Sequence, residues 1–118
     1  MLYKFTELTK EEYTNFEKNS SVGTFLQSSE QAELLQKRGY KIWLLGVKAD
    51  NKVVAAALVM REKVHLGYIF SIDRGPMLDF NNHELLAFFM SNFVKFSREN
   101  KGLYIEIRPN VTLKITDN

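Results

Sequence analysis

The 118-residue sequence has no cysteine, only two prolines and two histidines, and almost no excess charge. Without cysteine there is no disulfide, no thiolate nucleophile and no cysteine-ligated zinc, a composition consistent with a reducing compartment. Sixteen Lys and Arg against fourteen Asp and Glu leave a net charge of +2. That is too little for the footprint of a dedicated nucleic-acid binder, although it is compatible with a local basic patch. The longest apolar run, Val53 to Met60, is well short of the roughly 20 residues that cross a bilayer, and Met1-Leu2-Tyr3-Lys4 does not open a signal peptide. The expectation is a cytoplasmic chain. No repeat, low-complexity tract or Pro/Gly/Ser linker divides it, so it reads as one unit.

Apolar side chains are plentiful. Nine Phe, five Tyr and one Trp within a 45% hydrophobic composition supply one core in a domain of this length, but not two. Leu2 to Phe5 reads as a short strand. Thr9 and Glu12 have capping-box spacing ahead of a helix that buries Tyr13 and Phe16. Ser28 and Gln31 repeat that spacing before Ala32, Leu34 and Leu35, and Gly39 marks the end of this second helix. Tyr40 to Lys48 and Val53 to Arg61 form a hairpin around Ala49-Asp50-Asn51-Lys52. The second arm shows no polar alternation, so it is expected to be central and covered on both faces, its alanines admitting a close helix.

Beyond the polar link Glu62-Lys63, Tyr68 to Ile72 forms another strand, leading into the turn Asp73-Arg74-Gly75-Pro76. Asn81 or Asn82 caps a helix with the stripe Leu85, Leu86, Phe89, Phe93 and Phe96, which leaves Phe88 as its exposed aromatic. Leu103, Ile105 and Ile107 then alternate with Tyr104, Glu106 and Arg108 in a half-buried strand that stops at Pro109. The order β-α-α-β-β-β-α-β predicts an α+β fold of three layers, a mixed but mostly antiparallel sheet with helices on both faces.

That order resembles the GNAT-type N-acetyltransferase superfamily. There the loop after the meander's last strand cradles the acetyl-CoA pyrophosphate with an Arg/Gln-x-x-Gly-x-Gly/Ala pattern. Here the loop Arg74-Gly75-Pro76-Met77-Leu78-Asp79-Phe80-Asn81-Asn82 has one glycine, and Pro76 lacks an amide donor, so no acetyl-CoA is expected. The residues Arg74 to Phe80, with Phe25-Leu26-Gln27-Ser28-Ser29-Glu30 upstream and Val53-Val54-Ala55-Ala56-Ala57 between, resemble the amino-terminal half of the Fem/MurM (FemABX) family. Members of that family are aminoacyl-tRNA-dependent peptidyltransferases that build the interpeptide bridge of peptidoglycan.

The resemblance covers nearly the whole chain and implies residues 1–110 as an acetyltransferase-like subdomain and 111–118 as the start of a connection to a second half. It implies a UDP- or lipid-linked muropeptide precursor as substrate, with aminoacyl-tRNA as a co-substrate met by the full-length protein and no other cofactor. It implies a cytoplasmic enzyme working peripherally at the membrane, and a 118-residue piece that is inactive alone. Precursor contacts are implied at Gln27, Ser28, Ser29, Lys37, Arg74, Gly75 and Pro76. Each also has a structural reading: Ser28 as a helix cap, Lys37 as a helix-terminal cation, Arg74-Gly75-Pro76 as a tight turn.

Two departures from the family pattern bear on activity. Where many members have Trp, Ala and a basic residue after Gln-Ser-Ser, this chain has Gln31, Ala32 and Glu33. A carboxylate there would repel a diphosphate, so the anion contact is expected to move one turn, to Lys37 or Arg38. Where members often end the last strand with Asp-Pro, the Asp being the suggested proton acceptor, this chain has Arg108-Pro109, and guanidinium is no base. Orientation alone can still lower the barrier to amine attack on an activated ester. These departures favour a second expectation, a non-catalytic relic or binding module that pairs with another chain, including as a homodimer covering a sheet edge. His65 and His83 lack metal-pair spacing and are given neither a metal nor a catalytic role.

Overall fold

A computed structural model describes residues 2–19 and 27–108. Its elements are β1 (Tyr3–Glu7), α1 (Lys10–Lys18), α2 (Ser29–Lys37), β2 (Lys41–Ala49), β3 (Lys52–Val64), β4 (Gly67–Asp73), α3 (His83–Glu99) and β5 (Gly102–Arg108). This is the order expected from the sequence. The stop at Pro109 and the connection 111–118 lie outside the described residues.

The five strands follow one another across the sheet in chain order. All neighbours are antiparallel except β4 and β5, which run parallel because α3 carries the chain back between them. Strand parity sorts two cores. On one face Leu45, Val47, Ala55, Ala57, Val59, Phe70 and Ile72 meet Leu85, Phe89 and Phe93 of α3. On the other, Ala56, Leu58 and Met77 meet Leu8, Tyr13 and Ala32 beneath α1 and α2. Ala55 to Val59 are buried from both sides, as their lack of polar alternation implied. Trp43, Phe70 and Phe96 close one end of the α3 core with ring centroids 5.4 to 5.6 Å apart.

Three local expectations are corrected. Strand β3 does not stop at Arg61: Glu62, Lys63 and Val64 pair with Ile69, Tyr68 and Gly67, so the polar link is the solvated end of a longer hairpin. Leu103 is 53% exposed, because the ladder slips where Gly102 pairs with Tyr68 and Tyr104 with Ile69, which takes Leu103 out of alternation. Phe88 is half-buried rather than exposed, its ring 5.4 Å from that of Tyr3.

The helix starts were legible. Thr9 and Glu12 form a reciprocal capping box, the Ser28 hydroxyl accepts from the Gln31 amide at 3.1 Å, and Asn82 caps α3 through the Leu85 amide at 3.1 Å. The Glu12 carboxylate also pairs with Lys48 of β2. The Lys48 ammonium first, and then the Thr9 amide, hold its carboxyl below the ordinary glutamate value. A folded value below the unfolded one adds stability above the unfolded value and loses it as pH falls through the folded one. Thermal melts at a series of pH values below 4.5 are therefore expected to fall more gently for Glu12→Gln than for the parent. Gln at this position keeps the capping geometry while removing the titrating charge.

Candidate functional site

The site is built on the outer edge of β3. Strand β4 pairs with β3 only from Met60 to Val64, which leaves the peptide groups of Leu58 and Ala56 without a strand partner. After β4 the chain turns back, and Met77 meets Ala56 through both backbone groups, at 3.1 and 2.7 Å. Leu58 is met by a side chain instead. Its N–H donates to Gln27 Oε1 at 2.8 Å, and its carbonyl accepts from Gln27 Nε2 at 3.3 Å. The carboxamide of Gln27 thus stands where a peptide unit of a neighbouring strand would.

The remaining capacity of Gln27 is also engaged. Nε2 donates to the carbonyl of Asp73 at 2.9 Å, and the buried Tyr13 hydroxyl donates to the Gln27 backbone carbonyl. Burial, reinforced by the charge of Glu17, pushes the Tyr13 phenol well above its ordinary value, so it stays a donor. Gly75 lies against this amide: a Cβ there would stand 2.6 Å from Gln27 Oε1. Gly75 and Pro76 are buried and joined by a cis peptide bond. Arg74 has φ of 62° and donates its amide to the carbonyl of Arg108 at 2.6 Å, which fastens the loop to the end of β5.

Between α2 and the adjoining face of β3, β4 and β5 lies a cleft of about 280 Å³. Leu58, Met60 and Ile69 make its apolar floor, with Gln31 and Leu35 of α2 as one wall. Ser71, Asp73, Glu106 and Arg108 form the polar end; Arg38, Tyr40 and Glu62 also line the cleft. Arg108 lies 3.6 Å from Asp73 and 2.5 Å from Glu106, so its charge is largely answered. Arg38 has no carboxylate partner among the described residues. The cleft therefore offers an apolar strip, hydrogen-bonding side chains at one end and, at its margin, the guanidinium of Arg38, with Glu62, Asp73 and Glu106 as its carboxylates.

The residues singled out from the sequence are distributed unevenly around this cleft. Gln27 lines it but spends its amide on the backbone. Ser28 is buried as the α2 cap, and the Ser29 amide donates to the Glu17 carboxylate at 3.2 Å. Gly75 and Pro76 are buried; Arg74 and Lys37 are exposed and outside the lining. Arg38, the alternative to Lys37, lines the cleft. Glu33 does not line it; its carboxylate pairs with Lys10, which holds the carboxyl below its ordinary value. Ile69, Ser71, Asp73 and Glu106 were not foreseen. Their parity, opposite to that of Phe70, Ile72 and Ile105, carried the signal. His65 lies in the β3–β4 turn and His83 opens α3.

The fold that frames the cleft is of the acetyltransferase class. A GNAT family acetyltransferase from Staphylococcus aureus superposes with a TM-score of 0.66 at 11% identity, covering 100% of this chain and 96% of its own. The crystal structure of FemX is more similar, with a TM-score of 0.82 at 25% identity over 92% of this chain and 27% of its own. The sequence matches the FemAB family over residues 8–118, and the chain belongs to that family. Aminoacyltransferase FemB of Staphylococcus epidermidis is 32% identical over 116 residues, 97% of this chain and 28% of its own length. Aminoacyltransferase FemA of the same species is 35% identical over 109 residues, 90% and 26% respectively. The chain therefore spans little more than a quarter of these relatives. No helix among its described residues is long and apolar enough to cross a membrane.

Proposed function

We propose that this chain is the precursor-binding amino-terminal part of an aminoacyltransferase that moves amino acids from aminoacyl-tRNA onto the stem peptide of a peptidoglycan precursor. Membership of the FemAB family supports the transferase class. The observation that carries the binding role is the cleft beside α2, whose apolar floor and Arg38, without a carboxylate partner among the described residues, suit a UDP- or lipid-linked muropeptide. In this reading Arg38 meets the diphosphate, and Gln31 and Ser71 offer hydrogen bonds to the sugar or peptide. Gln27 acts as a positioning residue that sets α2 at the right height over β3. Activity needs the rest of the enzyme, which supplies the aminoacyl-tRNA, and the reaction belongs in the cytoplasm at the membrane that holds lipid-linked precursor.

Coenzyme A is not part of this reading. In the loop that would cradle its diphosphate, four amides are committed elsewhere, Arg74 to Arg108, Met77 to Ala56, and Asn81 and Asn82 to Asp79, and Pro76 has none. A second reading, a non-catalytic module that pairs with another chain, draws on Arg108, a cation tied to Asp73 and Glu106 where the family resemblance leads one to expect a free carboxylate.

Titration calorimetry with a UDP-linked muropeptide tests the binding role. The expected result is saturable binding that weakens about ten-fold in Arg38→Ala, the loss of one charge-assisted contact, and that Lys37→Ala leaves unchanged. Absence of binding both by this chain and by a form extended to the length of its relatives would overturn the proposal. Binding by the extended form without amino-acid transfer would select the second reading.

A further inference from the structure

We infer that the concavity at the open end of the β2–β3 ladder is a binding site for a phosphate or diphosphate group carried by a small molecule. Lys41 and Arg61 are direct partners across that ladder, which sets their Cβ atoms about 5 Å apart on one face of the sheet. Lys63, two residues further along β3, shares that face. All three cations line one concavity of about 290 Å³, together with Tyr40 and Tyr68. Glu62 is the single carboxylate in its lining, and neither it nor any of the three cations makes an ion pair among the described residues. Like charges directly opposed on a ladder cost stability. The repulsion between Lys41 and Arg61 is therefore unanswered by the described residues, and an anion seated between them would answer it.

The geometry also selects the kind of anion. The Arg61 guanidinium lies 4.0 Å from the ring centroid of Tyr68 and 5.8 Å from that of Trp43, and the Lys41 ammonium lies 5.6 Å from Trp43. An aromatic face attracts the charge but accepts no hydrogen bond along the guanidinium plane, so the donor fork stays open. Three cations call for more acceptor atoms than the two oxygens of one carboxylate, and a phosphate or diphosphate supplies them. RNA fits less well, because base stacking needs open aromatic faces and both rings already carry cations. The concavity is distinct from the cleft. Leu58 and Met60 of the cleft floor have the opposite parity on β3, whereas Lys41 and Arg61 share the face of Trp43, which packs against the α3 core. The two sites meet at Tyr40 and Glu62, and the anion contact does not depend on what the cleft holds.

Calorimetric titration of the full 118-residue chain with pyrophosphate and with inorganic phosphate at low salt tests the inference. Saturable binding is expected for both, tighter for pyrophosphate, weakened by raised salt and not competed by acetate at equal ionic strength. Lys63→Gln is expected to weaken it about ten-fold, the worth of one charge-assisted contact, whereas Arg38→Ala, in the lining of the cleft alone, leaves it unchanged. Trp43 is the single tryptophan of the chain, and its emission is expected to change along the same saturation curve as its cations turn to the anion. Lys41→Gln gives a second readout. Without anion it is expected to melt no lower than the parent, because the repulsion is relieved, yet to lose most of the rise in melting temperature that pyrophosphate gives the parent. Lys41 and Lys63 are exposed, and circular dichroism of both variants would show the fold retained. No binding of either anion, binding indifferent to both lysine substitutions, or equal competition by acetate would overturn the inference. So would binding lost in Arg38→Ala alone, or binding of an RNA oligonucleotide without binding of pyrophosphate.

Discussion

Replacing Gln27 with alanine is expected to destabilise the fold by about 3 kcal/mol, three side-chain hydrogen bonds, two buried and one part-buried, at roughly 1 kcal/mol each. The loss lies in what is left behind as much as in what is removed. The Leu58 N–H and carbonyl, and the Asp73 carbonyl, would lose their partner inside the protein, and an orphaned buried group carries its own desolvation cost. Urea titration of the variant beside Gln36→Ala, an exposed glutamine of α2, provides the scale. The latter is expected to stay within about 0.5 kcal/mol of the parent. A loss below about 1 kcal/mol for Gln27→Ala would mean that water or a neighbouring group takes over the ladder position.

Gly75→Ala is expected to cost about 2 kcal/mol, for a steric rather than a conformational reason. The added methyl would stand 2.6 Å from Gln27 Oε1, 2.8 Å from its Cδ and 3.0 Å from Cγ2 of Ile72. Gln27 cannot retreat without breaking its bonds to Leu58. The two sites are therefore coupled, and in a Gln27→Ala background most of the cost of Gly75→Ala should vanish, giving an interaction energy of about 1 to 2 kcal/mol in a double-mutant cycle. Additive effects would mean that the loop, and not the amide, relaxes.

Local signals carried most of the fold. Capping spacings located the starts of α1 and α2, the pair Asn81-Asn82 bracketed that of α3, whose cap is Asn82, and Gly39, with φ of 91°, marked the end of α2. The unbroken apolar run identified β3 as the central strand. What sequence could not reveal was pairing between distant segments. The slip between Tyr68 and Ile69, which exposes Leu103, depends on two strands separated by a whole helix. Glu62 and Lys63 look like a linker because their strand character comes from cross-strand partners rather than from their own propensities.

The candidate site was only partly legible, and for a similar reason. Gln27 stood out through its neighbours Ser28 and Ser29, but nothing local indicates that its amide turns inward to a strand 31 residues later. Arg38 was separable from Lys37 only once α2 had been set against β3. Asp73 and Arg108 meet because β4 and β5 run parallel in register, a relation that no linear spacing displays.

The borrowed position in the β3 ladder ties the two layers together. Gln27 precedes α2, whereas Leu58 belongs to the middle of the sheet, so lifting the helix strips two central peptide groups of their partner at the same moment. Such a helix has no cheap way to swing out while the sheet stays whole, and its opening is drawn into the same cooperative unit as the core. Any ligand held against α2 would consequently act on the stability of the entire domain and not on a hinged flap.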